Sequence, residues 1–299
     1  MTISALAKQG LAPHCAAMND HITRYATSDH LAIAVVRCTD TVATIAAQHG
    51  LQGEPLRVLG EAITASLLMA TRLKGPGVMH LSLRNQGVFA HLRVDAIGLG
   101  SVRAMITETV REQLLQWNGV DPLLGAGEIE VSKQLAQDQQ AYRSTIALER
   151  GDATWAANRY LATSEQVDAC VLSDVRVRKA QTIEATGVYI ERLPGADEDE
   201  SGVQHLRRHQ LALTEGNPMG IAGDQDDDGL IQRLVPGSEL VRLHQYDVGF
   251  HCPCSRDRFV SSLRSIANDQ LHDLADNGIL ETTCEFCRTS YEIPLDEVT

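Results

Sequence analysis

His251-Cys-Pro-Cys254 and Cys284-Glu-Phe-Cys287 are two tight cysteine pairs separated by 29 residues, positions 255 to 283. The spacing reads C-x-C, a long interval, then C-x-x-C. Two such pairs brought together by the fold supply Cys252, Cys254, Cys284 and Cys287 as a tetrahedral all-thiolate zinc site. Thiolates are also the groups that oxidants attack, so the same four atoms suit metal binding, redox sensing or both. Fifty residues, 250–299, bury little core, so an ion held there is expected to supply most of that segment's folding free energy. Apparent values for structural zinc are roughly 10–16 kcal/mol.

Working outward from the cysteines, the segment from Pro194 to about residue 249 changes character. It opens with PGADEDESG, contains the acidic run DQDDDG, and carries scattered glycines among patches such as Leu206, Leu211, Ile231 and Leu234. This composition predicts a loosely packed linker with marginal helices. Upstream, Leu31–Arg37 (LAIAVVR) reads as a buried strand, followed by a short helix from Thr39 or Asp40 to near Gly50. Glu54 and Pro55 open a longer helix, with Leu56, Leu59, Ile63 and Leu67 at helical spacing.

Strands are expected at 78–83, 88–94, 101–106, 128–133, 142–148, 170–177 and 183–190, with helices at 107–117 and 152–163, the latter capped by Asp152. Strand runs with few helices between them indicate an α+β fold. The expected organisation is a variable lead-in (1–26), a sandwich-like core domain (27–193), a metastable helical linker (194–249) and a small zinc-binding module (250–299).

The formal net charge of −13 argues against nucleic-acid partners, which require cationic surface. From Phe250 onward the chain holds four Arg and nine Asp or Glu, a net −5, so this zinc segment is a poor DNA binder. The N-terminus lacks an apolar signal region, and the longest apolar run, Leu31–Val36, is too short to cross a bilayer. No membrane partner is expected, and a cytoplasmic location, where thiols stay reduced, follows as an expectation.

Other motifs yield blander readings. His251 and His272 are expected at the surface or just behind the ligands, because four thiolates already fill a tetrahedron. Cys38 and Cys170 read as small buried hydrophobes, and Cys15 has no assignable role. Asp224, Asp226, Asp228 and Gly229 match the start of a calcium loop, but Val235 stands where a bidentate Glu is needed. A solvated acidic loop is the expectation there. The chain has no G-K-[ST] phosphate loop, no G-x-S-x-G and no H-E-x-x-H. ATP-driven and hydrolytic mechanisms thus lack support, and no enzyme is expected. A thiol oxidoreductase would place C-x-x-C at a helix N-terminus; here it lies between expected strands 279–283 and 289–293.

The cysteine pattern, behind a linker and an α+β domain, resembles the heat shock protein 33 family of redox-regulated chaperones. Cys252-Pro-Cys254-Ser-Arg256, Leu274-Ala-Asp-Asn-Gly278 and Cys284-Glu-Phe-Cys287-Arg-Thr-Ser-Tyr291 carry the likeness, with Tyr160-Leu-Ala-Thr-Ser-Glu-Gln166 and Leu68–Lys74 upstream. The resemblance implies an ATP-independent holdase, inactive while four thiolates hold one zinc per chain. It implies oxidation to the disulfides Cys252–Cys254 and Cys284–Cys287, zinc release, unfolding of module and linker, and capture of unfolding client proteins. It also implies a homodimer in the active state. The acidic, glycine-rich stretches of the linker depart from the family's more continuous helical sequence. The competing reading is a zinc-ribbon adaptor whose metal is purely structural.

Overall fold

The structure, a computed structural model, describes residues 20–298 apart from 74, 76, 99, 136–139, 150, 179, 180, 199, 217–219, 222, 224 and 225. Its class is mixed α+β. Strands β1 (His21–Thr27), β2 (Leu31–Arg37), β8 (Ala169–Arg178), β9 (Gln181–Arg192) and β10 (Leu240–Asp247) form one sheet in the order β10-β1-β2-β9-β8. A second sheet has the order β11-β5-β4-β3-β6-β7. Its strands are β3 (Gly77–Asn85), β4 (His91–Ile97), β5 (Ser101–Ile106), β6 (Gly127–Leu135), β7 (Tyr142–Leu148) and the short β11 (Gly249–Phe250).

Helices α1 (Thr39–His49), α2 (Gly53–Ala70) and α4 (Ala153–Tyr160) fill the space between the sheets; α3 (Glu108–Leu115) follows β5. The central helix α2 is apolar nearly all round because both sheets press on it. Two glycines allow that contact. A Cβ on Gly60 would lie 2.8 Å from Val175 Cγ1, and one on Gly187 would lie 2.4 Å from Thr64 Cγ2.

The strand LAIAVVR explains the next layer. Ala34 and Val36 face the helices between the sheets, whereas Leu31, Ile33 and Val35 point the other way. That second apolar face needs its own cover. It comes from the acidic, glycine-bearing segment after Pro194: α5 (Ser201–Thr214), a loop with Ile221, and α6 (Asp227–Leu234). Leu206, Ile221, Leu230, Ile231, Leu234 and Val235 are all fully buried against Ile33, Val35, Leu172, Val188 and Ile190. Each such side chain contributes roughly 1.5–3 kcal/mol on burial.

The structure departs here from the sequence expectation of a loosely packed linker. Residues 240–247 are an edge strand, β10, paired antiparallel with β1. Strand β1 itself falls within the stretch expected as a variable lead-in. Both strands were hidden by their polar residues, such as His21, Arg24, Arg242 and His244; β10 is the edge of the sheet and β1 the strand beside it. Strand β4 starts later than the expected 88–94, because Val88 and Phe89 hydrogen-bond through their N–H groups to the carbonyls of Pro122 and Leu123.

The acidic run is not a solvated loop throughout. Asp226 caps α6, accepting from Gly229 N at 2.6 Å. Asp227, 4% exposed, accepts from Arg37 Nε at 2.8 Å and pairs with His21 Nε2 at 3.0 Å. Asp228 accepts from the Tyr25 hydroxyl at 2.8 Å. These three acids are committed to capping and to fixing α6 on the sheet, which leaves little for a calcium ion; Asp224 lies outside the described residues.

Burial alone would raise the Asp227 carboxyl, but hydrogen bonds from His21 and Arg37 win and hold it at about 2. Because this value lies below the ordinary 3.8, the stabilisation is complete above about pH 4 and is lost as pH falls toward about 2. Asp227→Asn is expected to cost about 2 kcal/mol at neutral pH and to flatten the acid limb of stability. Denaturant midpoints of wild type and variant between pH 2 and 7 measure this; parallel curves would remove Asp227 from the account.

Candidate metal centre

Strand β10 hands the chain directly to β11, whose Gly249 and Phe250 pair in parallel with Ser101 and Val102 of β5. The His251 N–H continues this pairing to the Val102 carbonyl at 3.1 Å. Cys252 and Cys254 therefore leave the edge of the six-stranded sheet in a fixed direction. Ser255 then caps α7 (Arg256–Leu263), its Oγ accepting from Arg258 N at 3.3 Å. After α8 (Asn268–Leu274), β12 (Ile279–Thr283) and β13 (Ser290–Pro294) make a hairpin, the arrangement expected around the second pair.

Cys284 and Cys287 occupy that hairpin's turn. The Cys284 N–H donates to the Thr289 carbonyl at 2.9 Å, and the Arg288 N–H to the Cys284 carbonyl at 2.8 Å. Arg288 closes the turn at φ 61°. The apolar support is small: Val260, Leu271, Leu280, Ile293 and Val298 are the buried residues of this cluster. The Arg256 guanidinium grips Glu297 through two hydrogen bonds of 2.7 Å, and Phe259 packs on Tyr291 with centroids 5.0 Å apart.

The fold brings all four cysteines together. Their Sγ atoms lie within 4.8 Å of one another, and the thiols are unbonded. The short approaches run between the pairs: Cys252 to Cys284 at 3.8 Å and Cys254 to Cys287 at 3.3 Å. Metal–sulfur bonds of ~2.3 Å in a tetrahedron put sulfur atoms ~3.8 Å apart, so this donor set fits a thiolate-bound ion such as zinc. Four soft donors and no carboxylate among them disfavour calcium or magnesium. His251 and His272 are exposed and lie outside the group.

The thiols differ. Burial pushes Cys254 up to about 12, beside Tyr291 Oη at 3.2 Å. Burial also raises Cys287, but hydrogen bonds at Thr289 outweigh it and bring this thiol down to about 7. A group at 7 is a substantial fraction thiolate at neutral pH, ready to ligate or react. Cys38 and Cys170 are fully buried away from the cluster and pushed up to about 12 by burial, which makes them inert packing residues. Cys15 is outside the described residues.

Two neighbours of the cluster escaped sequence reading. Arg103 of β5 reaches within 3.9 Å of Cys252 Sγ, and its guanidinium lies 3.9 Å over the Phe286 ring. Arg288 pairs with Glu108 of α3. Nothing local in the sequence marks these contacts, since they join positions about 150 to 180 residues apart.

Comparison with known proteins places the chain. The family model described as Hsp33 protein matches residues 20–294. The chain belongs to the Hsp33 family. Similar family members include the 33 kDa chaperonin of Desulforamulus reducens, 28% identical over 284 residues, covering 92% of this chain and 94% of that protein. The 33 kDa chaperonin of a Cyanothece species is 30% identical over 259 residues, covering 84% and 85%. Among solved structures, the Hsp33 homologue of Thermotoga maritima superposes with a TM-score of 0.79 over 93% of this chain and 96% of that one. At 17% identity that likeness speaks for the Hsp33 fold.

Cys284→Ser leaves three thiol donors, and its expected effect is loss of tight zinc binding with protease sensitivity appearing in residues 250–299. Titration with a competing chelator, combined with limited proteolysis, checks it. Stoichiometric zinc and full protection in the variant would exclude the four-sulfur site.

Proposed function

We propose that this Hsp33-family chain is a redox-regulated, ATP-independent chaperone of the holdase type, with zinc as its resident ion. The observation that carries the reading is the cluster of four unbonded thiols, held within 4.8 Å on a module with little apolar core. The names of the relatives, 33 kDa chaperonins, support the chaperone class.

In this reading Cys252, Cys254, Cys284 and Cys287 hold one zinc per chain. Oxidation forms Cys252–Cys254 and Cys284–Cys287. For each disulfide, two thiols lose two electrons and two protons, and one peroxide is reduced to two waters. With its ligands consumed, the site gives up its ion, and the binding free energy that ordered the module goes with it. The module 250–299 and the linker 194–249 then unfold as units separate from the core domain.

The consequence for clients follows from the two-faced strand. Detachment of α5 and α6 would bare Ile33, Val35, Leu172, Val188 and Ile190 on the sheet, and Leu206, Ile231 and Leu234 on the cover. Contiguous apolar surface of this kind binds unfolding or partly folded proteins. Turnover of ATP has no part in the scheme, and the chain acts as a binder rather than an enzyme. The active form is read as a homodimer and the location as cytoplasmic. A net charge of −13 speaks against nucleic-acid clients, and no described helix is long and apolar enough to cross a membrane.

Zinc release is the decisive measurement. Reduced protein is treated with peroxide at mildly elevated temperature, release is followed with a chromogenic chelator, and aggregation of a heat-denatured client is scored in the same samples. About one zinc per chain is expected in solution, together with suppressed aggregation that a reductant prevents. Zinc retained, or lost without protection of the client, would leave the zinc-ribbon adaptor as the better account.

A further inference from the structure

The outer face of the six-stranded sheet carries a row of polar side chains that leads to the cysteines. His80 on β3 stands opposite Asp95 on β4, and Asp95 stands opposite Arg103 on β5. Asp95 is 0% exposed, closed over by His80, Arg93 and Arg103. Arg93 donates Nε to Asp95 Oδ1 at 2.7 Å. Arg103 donates Nε and Nη2 to Asp95 Oδ2 at 3.0 and 2.8 Å. Its remaining nitrogen, Nη1, is 3.9 Å from Cys252 Sγ, and the guanidinium plane covers Phe286, the neighbour of Cys287.

This is an unusual use of one side chain. A carboxylate withdrawn from water is costly unless it is fully paired, so Asp95 fixes the Arg103 fork strongly. The fork then touches both halves of the cysteine cluster, one through the Cys252 sulfur and the other through the Phe286 ring. A lysine could neutralise Asp95, but it could not also present a plane to the ring and a separate donor to the sulfur. The pair Arg288–Glu108 crosses the same interface, but its carboxylate is half-exposed where Asp95 is fully buried, so it holds its arginine less firmly.

We propose that Asp95 and Arg103 act as a positioning pair that docks the cysteine module on the core sheet and sets how firmly the cluster holds its ion. The proposal rests on the four cysteines being the metal ligands. The core sheet thereby reports on the cluster: while Arg103 is engaged, the cysteine loops are pinned beside β5, and when the loops open, a guanidinium and a sheet edge are freed together.

The test uses the full-length, zinc-loaded chain and reads two quantities: the rate of zinc transfer to a chelator, and amide hydrogen exchange of residues 249–254 and 284–291. Arg103→Lys and Asp95→Asn are each expected to speed zinc transfer about tenfold, the range seen when groups that orient metal ligands are removed. Both should raise exchange in those two segments with zinc stoichiometry unchanged. The double variant should match the single ones, because the pair works as a unit. Phe286→Leu should behave like Arg103→Lys, and Phe286→Tyr, which keeps the ring, should restore wild-type rates. Glu108→Gln should stay within about twofold of wild type.

Wild-type zinc transfer and exchange in Arg103→Lys would overturn the proposal. Should Asp95→Asn fail to fold, Arg103→Lys decides alone. Absence of zinc from the wild-type chain would instead refute the proposed function, and exchange at 249–254 and 284–291 would then judge the docking role by itself.

Discussion

A module with five buried apolar side chains in its core cluster cannot order fifty residues by hydrophobic burial. That shortage is the constraint on which the rest of the architecture turns. The hairpin turn at Cys284–Cys287 and the loop at Cys252–Cys254 need a cross-link, and the four converging sulfurs offer one. The pairing of β11 on β5 sets where the first of these cysteine loops begins.

The same dependence runs one step further into the fold. Strand β10 ends at Asp247 and β11 begins at Gly249, so the edge of one sheet and the edge of the other are joined by a single residue, Val248, itself buried. The segment carrying α5 and α6 is therefore tethered at its C-terminal end to the strand that leads into the cysteines. Its grip on the sheet is substantial, with six buried apolar residues and the Asp227–Arg37–His21 contacts. Acidic turns and glycines flank those buried residues, and Leu211 stays exposed.

Chemistry and placement are separable in this chain. The short, branched apolar run LAIAVVR, the helical spacing of Leu56, Leu59, Ile63 and Leu67, and the Asp152 cap were all legible, because local composition, periodicity and capping are encoded in neighbouring residues. Strand β1 and strand β10 were not legible. HITRYAT and LVRLHQYD mix polar and apolar residues, and only their pairing with each other, and that of HITRYAT with β2, makes them strands. The acidic run was likewise misjudged, since the partners of Asp227 are Arg37 and His21, about 190 and 206 positions away.

The sequence by itself determined which atoms can form the cluster, the α+β class and the family, because cysteine spacing and apolar periodicity are properties of the chain read in order. Tertiary structure alone decided what surrounds those features. It placed the Arg103 guanidinium between Asp95 and Cys252, closed the second face of the five-stranded sheet with α5 and α6, and joined the cysteine loop to β5. The physical reason is that spacing fixes the donors, whereas burial and charge pairing act between segments that meet only once the chain has folded.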